Sequence, residues 1–207
     1  MLLSIIGMPG VGKTFWSEKL ENLGFIRYGC DDIIAVKLER EMQGSGFETL
    51  SDVAEWMGQP YEERYEKNSQ RYLELEHETM KEVLNLARKN LDKNIVIDTT
   101  GSVIYLAEDI LKELSSIATI IHLETPHDVL EDMYNKFLLN PKPVIWGEHF
   151  IKFRGETNEE AIARQYADLL EYRNKQYKKH AHKTFDYYML QDEHFTEQHF
   201  IEHLQSL

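Results

Sequence analysis

The stretch "GMPGVGKT" at residues 7–14, squeezed between the apolar run "LLSII" and the amphipathic segment "FWSEKL", constrains the chain more than any other feature. It matches the spacing G-x-x-x-x-G-K-[ST] at Gly7, Gly12, Lys13 and Thr14. Glycines are needed there because successive backbone N–H groups must curl around a phosphate with no Cβ in the way. The helix that follows points its positive end at the same anion. Lys13 then reaches the β- and γ-phosphates and the Thr14 hydroxyl ligates Mg²⁺. The donor-side set is therefore Gly7, Pro9, Gly10, Val11, Gly12, Lys13, Thr14 and Phe15, and the expected cofactors are ATP and Mg²⁺.

A loop of this kind needs a parallel sheet behind it, and the rest of the chain supplies the pattern. Short apolar runs at "LLSII" (2–6), "FIRYG" (25–29), "NIVID" (94–98), "ATIIHL" (118–123) and "TFDYYM" (184–189) alternate with longer segments of helical period. That alternation predicts an α/β P-loop NTPase fold, a central parallel sheet of about five strands flanked by helices. Trp16, Leu20 and Leu23 share one face of the helix after the loop, and Leu73, Met80, Leu84, Ala87 and Leu91 recur at helical spacing further on. "TPHD" predicts a helix with Thr125 as N-cap and Pro126 at the first helical position. "TNEE" predicts a second, opened by a capping box from Thr157 to Glu160. No strand is expected between about 31 and 92, so that region reads as a helical insertion suited to an acceptor-binding lobe. The proline- and glycine-broken region 140–160 reads as a lid, and the whole chain as one domain.

Composition narrows the partners. With 36 acidic against 23 basic residues the net charge is −13, which opposes diffuse binding to nucleic acid or anionic lipid. The single cysteine, Cys30, cannot form an internal disulfide and suits a reducing compartment. The glycine-rich turn arrives within seven residues of Met1, leaving no room for a signal peptide ahead of it. A cytoplasmic protein, monomeric or dimeric and without membrane contact, is expected. The histidines at 180, 182, 194, 199 and 203 have no spacing that suggests a metal site.

Carboxylates stand at two strand ends. Asp98 closes the third strand and is the candidate for the Mg²⁺ water shell, while Asp31 and Asp32 follow the second. Either of that pair can orient an acceptor hydroxyl and take its proton, or cap the helix that begins there. Arg154 and Arg164 lie in or just after the lid region, where one of them would close over the phosphates. Neither "NKFL" nor "NKQY" supplies the aspartate of a guanine-reading Asn-Lys-x-Asp segment, which leans toward adenine. A small kinase that hands a phosphoryl group to a bound acceptor is the expectation; a nucleotide-binding regulatory protein is the alternative.

In this order of motifs the chain resembles the shikimate kinase family of small P-loop kinases, relatives of the nucleoside monophosphate kinases. "GMPGVGKT" looks like the family's glycine loop, "CDDII" its acidic segment after the second strand, and "VIDTTGSV" the strand that ends in a Gly-Gly-Gly run. "KPVI" stands where the family has the Arg-Pro-Leu-Leu of the lid, and "LLEYRNKQYKKHA" is similar to its late helix. The resemblance implies Asp31 as acceptor-binding aspartate, with Asp32 in its place if the register is one off. It implies Thr100 and Gly101 on the acceptor side, Lys142 in place of the lid arginine, and Arg173 as the late-helix arginine. Arg71, with Arg64 competing, would be the arginine of the inserted lobe. Shikimate, a nucleoside or another small hydroxylated metabolite is the implied acceptor. Thr99 and Thr100 depart from the glycine run, and lysine at 142 offers a point charge where the family has a planar fork.

Overall fold

A computed structural model describes residues 1–42, 50–140, 142 and 144–206. Residues 43–49 of the expected insertion and Pro141 and Pro143 of the expected lid lie outside the described residues.

Five strands form one sheet: β1 (Leu2–Ile6), β2 (Ile26–Gly29), β3 (Ile95–Asp98), β4 (Thr119–Leu123) and β5 (Lys183–Phe185). Their order is β2-β3-β1-β4-β5 and every pair is parallel. Leu3, Ile5, Ile95, Val96, Ile97 and Ile121 are wholly buried, so the inner strands read as continuous apolar runs because helices cover both faces. The register sets Ile5 and Gly29 level with Asp98, so β1, β2 and β3 end together. The chain leaves β1 toward β2 and β3 and later returns to β4 on the other side. That reversal opens a crevice over the strand ends.

Around the sheet run α1 (Lys13–Asn22), α2 (Cys30–Glu41), α3 (Leu50–Met57), α4 (Glu63–Arg88), α5 (Glu108–Ile117), α6 (His127–Leu139), α7 (Asn158–His180), α8 (Tyr187–Gln191) and α9 (Glu197–Ser206). The main core joins the sheet to α1, α5, α7 and α9, and Trp16 of α1 stacks on Phe200 of α9 at 5.2 Å. A second, smaller cluster holds α2, α3 and α4 to one another through Ile34, Leu38, Val53, Met57, Tyr72 and Leu75. Those three helices make the lobe expected between β2 and β3.

Several expectations need correction. The fifth strand stops at Phe185, because the Asp186 side chain accepts from Met189 N and turns the remaining residues into α8. Pro126, not Thr125, is the N-cap of α6, and the Thr125 hydroxyl is buried without a partner. Leu23 and Leu91 fall just beyond their helices and are exposed. The capping box at Thr157 and Glu160 opens α7 as expected, with Thr157 Oγ1 accepting from Glu160 N at 3.1 Å.

Candidate active site

The glycine loop owes its shape to backbone torsions that few other residues adopt. Gly10 and Gly12 have φ of +79° and +104°, and Gly12 caps α1 with no side chain of its own. No acidic residue stands in the first turn of α1, so its positive end faces outward uncompensated. Lys13 is buried, and its ammonium donates to the carbonyls of Gly7 and Met8, both at 3.2 Å. Burial lowers its pKa, while Asp31 and Asp98 oppose that shift. The residues fit a nucleotide triphosphate: a glycine-built N–H cradle, a helix N-terminus and a buried cation converge, with Thr14 exposed beside them.

The loop forms one wall of a cavity of about 940 Å³. Asp31 and Tyr72 reach it from the helical lobe, Gly101 and Ser102 from the loop after β3, Arg173 from α7, Lys136 from the last turn of α6, and Asn140 and Lys142 from the segment after it. Asp31 accepts from Tyr72 Oη at 3.1 Å, and burial pushes its carboxyl up to about 6 against the pull of Lys13 and Tyr72. Gly101 is a glycine because the loop crosses it closely. A Cβ there would stand 2.7 Å from Pro9 Cγ, and its carbonyl accepts from Tyr177 Oη.

The expected site residues are dispersed unequally. The loop residues Pro9 to Phe15, Asp31, Gly101, Lys142 and Arg173 share the cavity; Gly7 is not on its wall, and a Cβ there would meet Leu123 O at 3.0 Å. Asp98 sits behind the loop, 4% exposed, with Oδ2 accepting from Ser17 Oγ at 3.0 Å and Arg27 Nη2 at 2.8 Å. Asp32 turns outward to Arg27 at 3.1 Å, so of the acidic pair only Asp31 faces the cavity. Thr100 is buried behind it and bonds to Glu76.

Arg71 is a correction. It lies on a solvated side of α4, where Glu41, Glu74 and Glu78 hold it, and it is absent from the cavity wall. Arg64, the competitor, is exposed and pairs with Glu62 at 2.8 Å. Arg154 is likewise exposed and away from the wall, and Arg164 is tied to Glu156 at 2.7 Å. The segment expected to move as a lid is anchored at its base. Tyr65 Oη donates to Val144 O at 3.0 Å and accepts from Trp146 N at 2.8 Å, Arg173 donates to Ile145 O, and Trp146 is fully buried.

Four groups at the site were not read from the sequence. Tyr72 and Glu76 project from one face of α4 a turn apart, Ser102 follows Gly101, and Tyr177 holds Gly101 in place. Glu76 is 1% exposed, and burial lifts its carboxyl to about 7, partly offset by hydrogen bonds from Thr100 and Ser102. A signal existed, since Glu76 interrupts an apolar stripe running Tyr72, Leu75, Met80, Val83, Leu84, Ala87. Among the described residues no group of three histidine, cysteine or acidic side chains could hold a metal ion, and no helix is long and apolar enough to cross a membrane.

Neither a protein-family model nor a curated protein matches the chain. Its fold is that of shikimate kinases. The enzyme from Bacteroides thetaiotaomicron superimposes with a TM-score of 0.59 over 100% of this chain and 98% of its own, at 17% identity. That from Aquifex aeolicus gives 0.53 over 90% and 87% at 19% identity. The Acinetobacter baumannii enzyme, solved in complex with shikimate, gives 0.52 over 89% and 83% at 21% identity.

Proposed function

We propose that the chain is a phosphotransferase that moves the γ-phosphoryl group of Mg²⁺-ATP to the hydroxyl of a small acceptor. The observation that carries this reading is the meeting of Lys13, Asp31 and Arg173 in one cavity above the ends of β1–β3. The loop N–H groups and Lys13 would hold the donor phosphates, and Thr14 would hold the metal, with Asp98 behind the loop, bonded to Ser17 and Arg27, the carboxylate that would orient its waters. Mg²⁺ supplies charge neutralisation between the phosphates when bound. Asp31 accepts the acceptor's hydroxyl proton as its oxygen bonds to the γ-phosphorus and the bridging oxygen leaves with ADP. A carboxyl that titrates near 6 is ionised at neutral pH yet still basic enough for that step. Arg173 and Lys142 add positive charge around the transferring group.

The test is ADP formation from Mg²⁺-ATP by the full chain, with and without hydroxylated acceptors, shikimate among them. Acceptor-stimulated turnover is expected, and Lys13→Ala should abolish it. ATP binding with no stimulation by any acceptor would point instead to a nucleotide-binding regulator and would defeat the proposal.

A further inference from the structure

Arg27 belongs to β2, at one edge of the sheet, yet its side chain is only 15% exposed. Its guanidinium reaches three other elements at once. Nε donates to Ser17 Oγ of α1 at 2.8 Å, Nη2 to Asp98 Oδ2 at the end of β3 at 2.8 Å, and Nη1 to Asp32 Oδ2 in the first turn of α2 at 3.1 Å. Ser17 Oγ lies 3.0 Å from the same Asp98 oxygen. Both hydrogen bonds of the Asp98 carboxylate therefore fall on Oδ2, and among the described residues Oδ1 takes none. The guanidinium packs over Gly29, which is level with Asp98 in the register. A Cβ on Gly29 would stand 2.9 Å from Nη2 and 3.0 Å from Nη1. With φ at −84° the backbone of Gly29 is open to any residue, so it is the guanidinium that requires a glycine there.

We propose that Arg27 is a positioning residue of the donor site: it holds Asp98 by Oδ2 alone and so keeps Oδ1 as the acceptor for a metal-bound water. The inference rests on the kinase reading above, in which Mg²⁺ arrives with the nucleotide. The residues suit that ion, which keeps several waters and takes one or two carboxylates beside substrate phosphates. Asp98, 4% exposed behind the loop, and the exposed Thr14 hydroxyl make such a set. Groups that orient a metal's partners from behind carry much of the site's affinity. A planar fork fixes Asp98, Ser17 and Asp32 in one geometry, which the point charge of a lysine cannot do. Charge alone predicts the opposite, since a cation beside Asp98 repels the metal and its removal should tighten binding. Geometry outweighs that repulsion here, because without Arg27 a nearly buried carboxylate loses both its cationic partner and its direction.

The experiment titrates the full chain with ATP in a calorimeter, once with Mg²⁺ and once with EDTA, and takes the ratio of the two affinities. In Arg27→Gln the ratio should fall about tenfold, or to about one. Asp98→Asn should lower the same ratio, and the double variant should lose little more, since both changes act at one carboxylate. Gly29→Ala, which displaces the fork and removes no charge, should lower it as well, and Arg27→Lys should not restore it. An unchanged or larger ratio in Arg27→Gln overturns the inference, and an equal loss of affinity with and without Mg²⁺ counts as unchanged. If Arg27→Gln fails to fold, Gly29→Ala carries the test with the same outcomes. A wild-type affinity indifferent to Mg²⁺ also overturns the inference. Acceptor-stimulated ADP formation by the wild type checks the kinase reading separately: turnover with an unchanged ratio in the variants defeats this inference alone.

Discussion

Three buried titratable side chains near the site respond to pH in opposite senses. His122 on β4 is wholly buried, stacked on Tyr177 at 5.7 Å, and neither ring nitrogen has a partner. Burial pushes its imidazole down to about 4, so the unfolded chain binds more protons as pH falls from the ordinary value near 6.5. Stability is intact above that value and is lost toward pH 4, by up to about 3 kcal/mol. Asp31 and Glu76 are raised by burial to about 6 and about 7, so their linkage runs the other way: stability is intact below their unfolded values and lost as pH rises through the folded ones. With two carboxyls against one imidazole, these groups together should lower the native protein's stability as pH rises across this window, and variants should separate the two senses. In urea titrations, His122→Phe should gain on the wild type as pH falls below about 6. Glu76→Gln should gain on the wild type as pH rises from about 4.5 to about 7 and then level off, and parallel curves across these windows would contradict both expectations. For catalysis, Asp31→Asn should lower kcat about 10²- to 10⁴-fold with ATP binding retained, read by ADP formation and nucleotide titration.

Among the elements, α4 and the 144–146 segment shape the cavity wall beside the helical lobe. The apolar spacing legible in the sequence placed α4 correctly and put Met80, Leu84 and Ala87 on its buried face, but its end members miss: Leu73 is only partly buried and Leu91 is exposed beyond the helix. The true face includes Tyr72 and Glu76, because the lobe of α2 and α3 covers that side and the polar pair points at the strand ends. The lid region read as irregular because prolines and glycine break its periodicity. Its order instead comes from one phenol on α4 and one guanidinium on α7, partners about 80 and 28 residues away in sequence. Tyr65→Phe should leave Trp146 N and Val144 O without that partner, costing about 1–3 kcal/mol. Its check is a urea midpoint shift together with faster hydrogen exchange at the Trp146 amide; unchanged exchange would show that the phenol is not what holds the segment.

At the scale of the whole molecule, the −13 net charge acts against compactness as well as against polyanionic partners. Raising salt from low ionic strength to about 0.5 M should raise Tm by screening this repulsion, and a falling Tm would show that specific ion pairs outweigh it. The sequence by itself determined the sheet, its parallel order of strands and helices, and the glycine loop. Those features are local: an apolar run, glycines with torsions only they adopt, and a helix that starts at Lys13. The family resemblance also singled out Gly101, Arg173 and one of Asp31 and Asp32, and the structure brings Gly101, Arg173 and Asp31 to one cavity. Only the tertiary structure set Asp31 and not Asp32 on the cavity wall, left Arg71 and Arg154 off it, and buried Glu76 against Thr100 behind it. Those outcomes depend on which face of a helix meets which neighbour, and long polar side chains settle there by pairing with whatever charge the fold brings near.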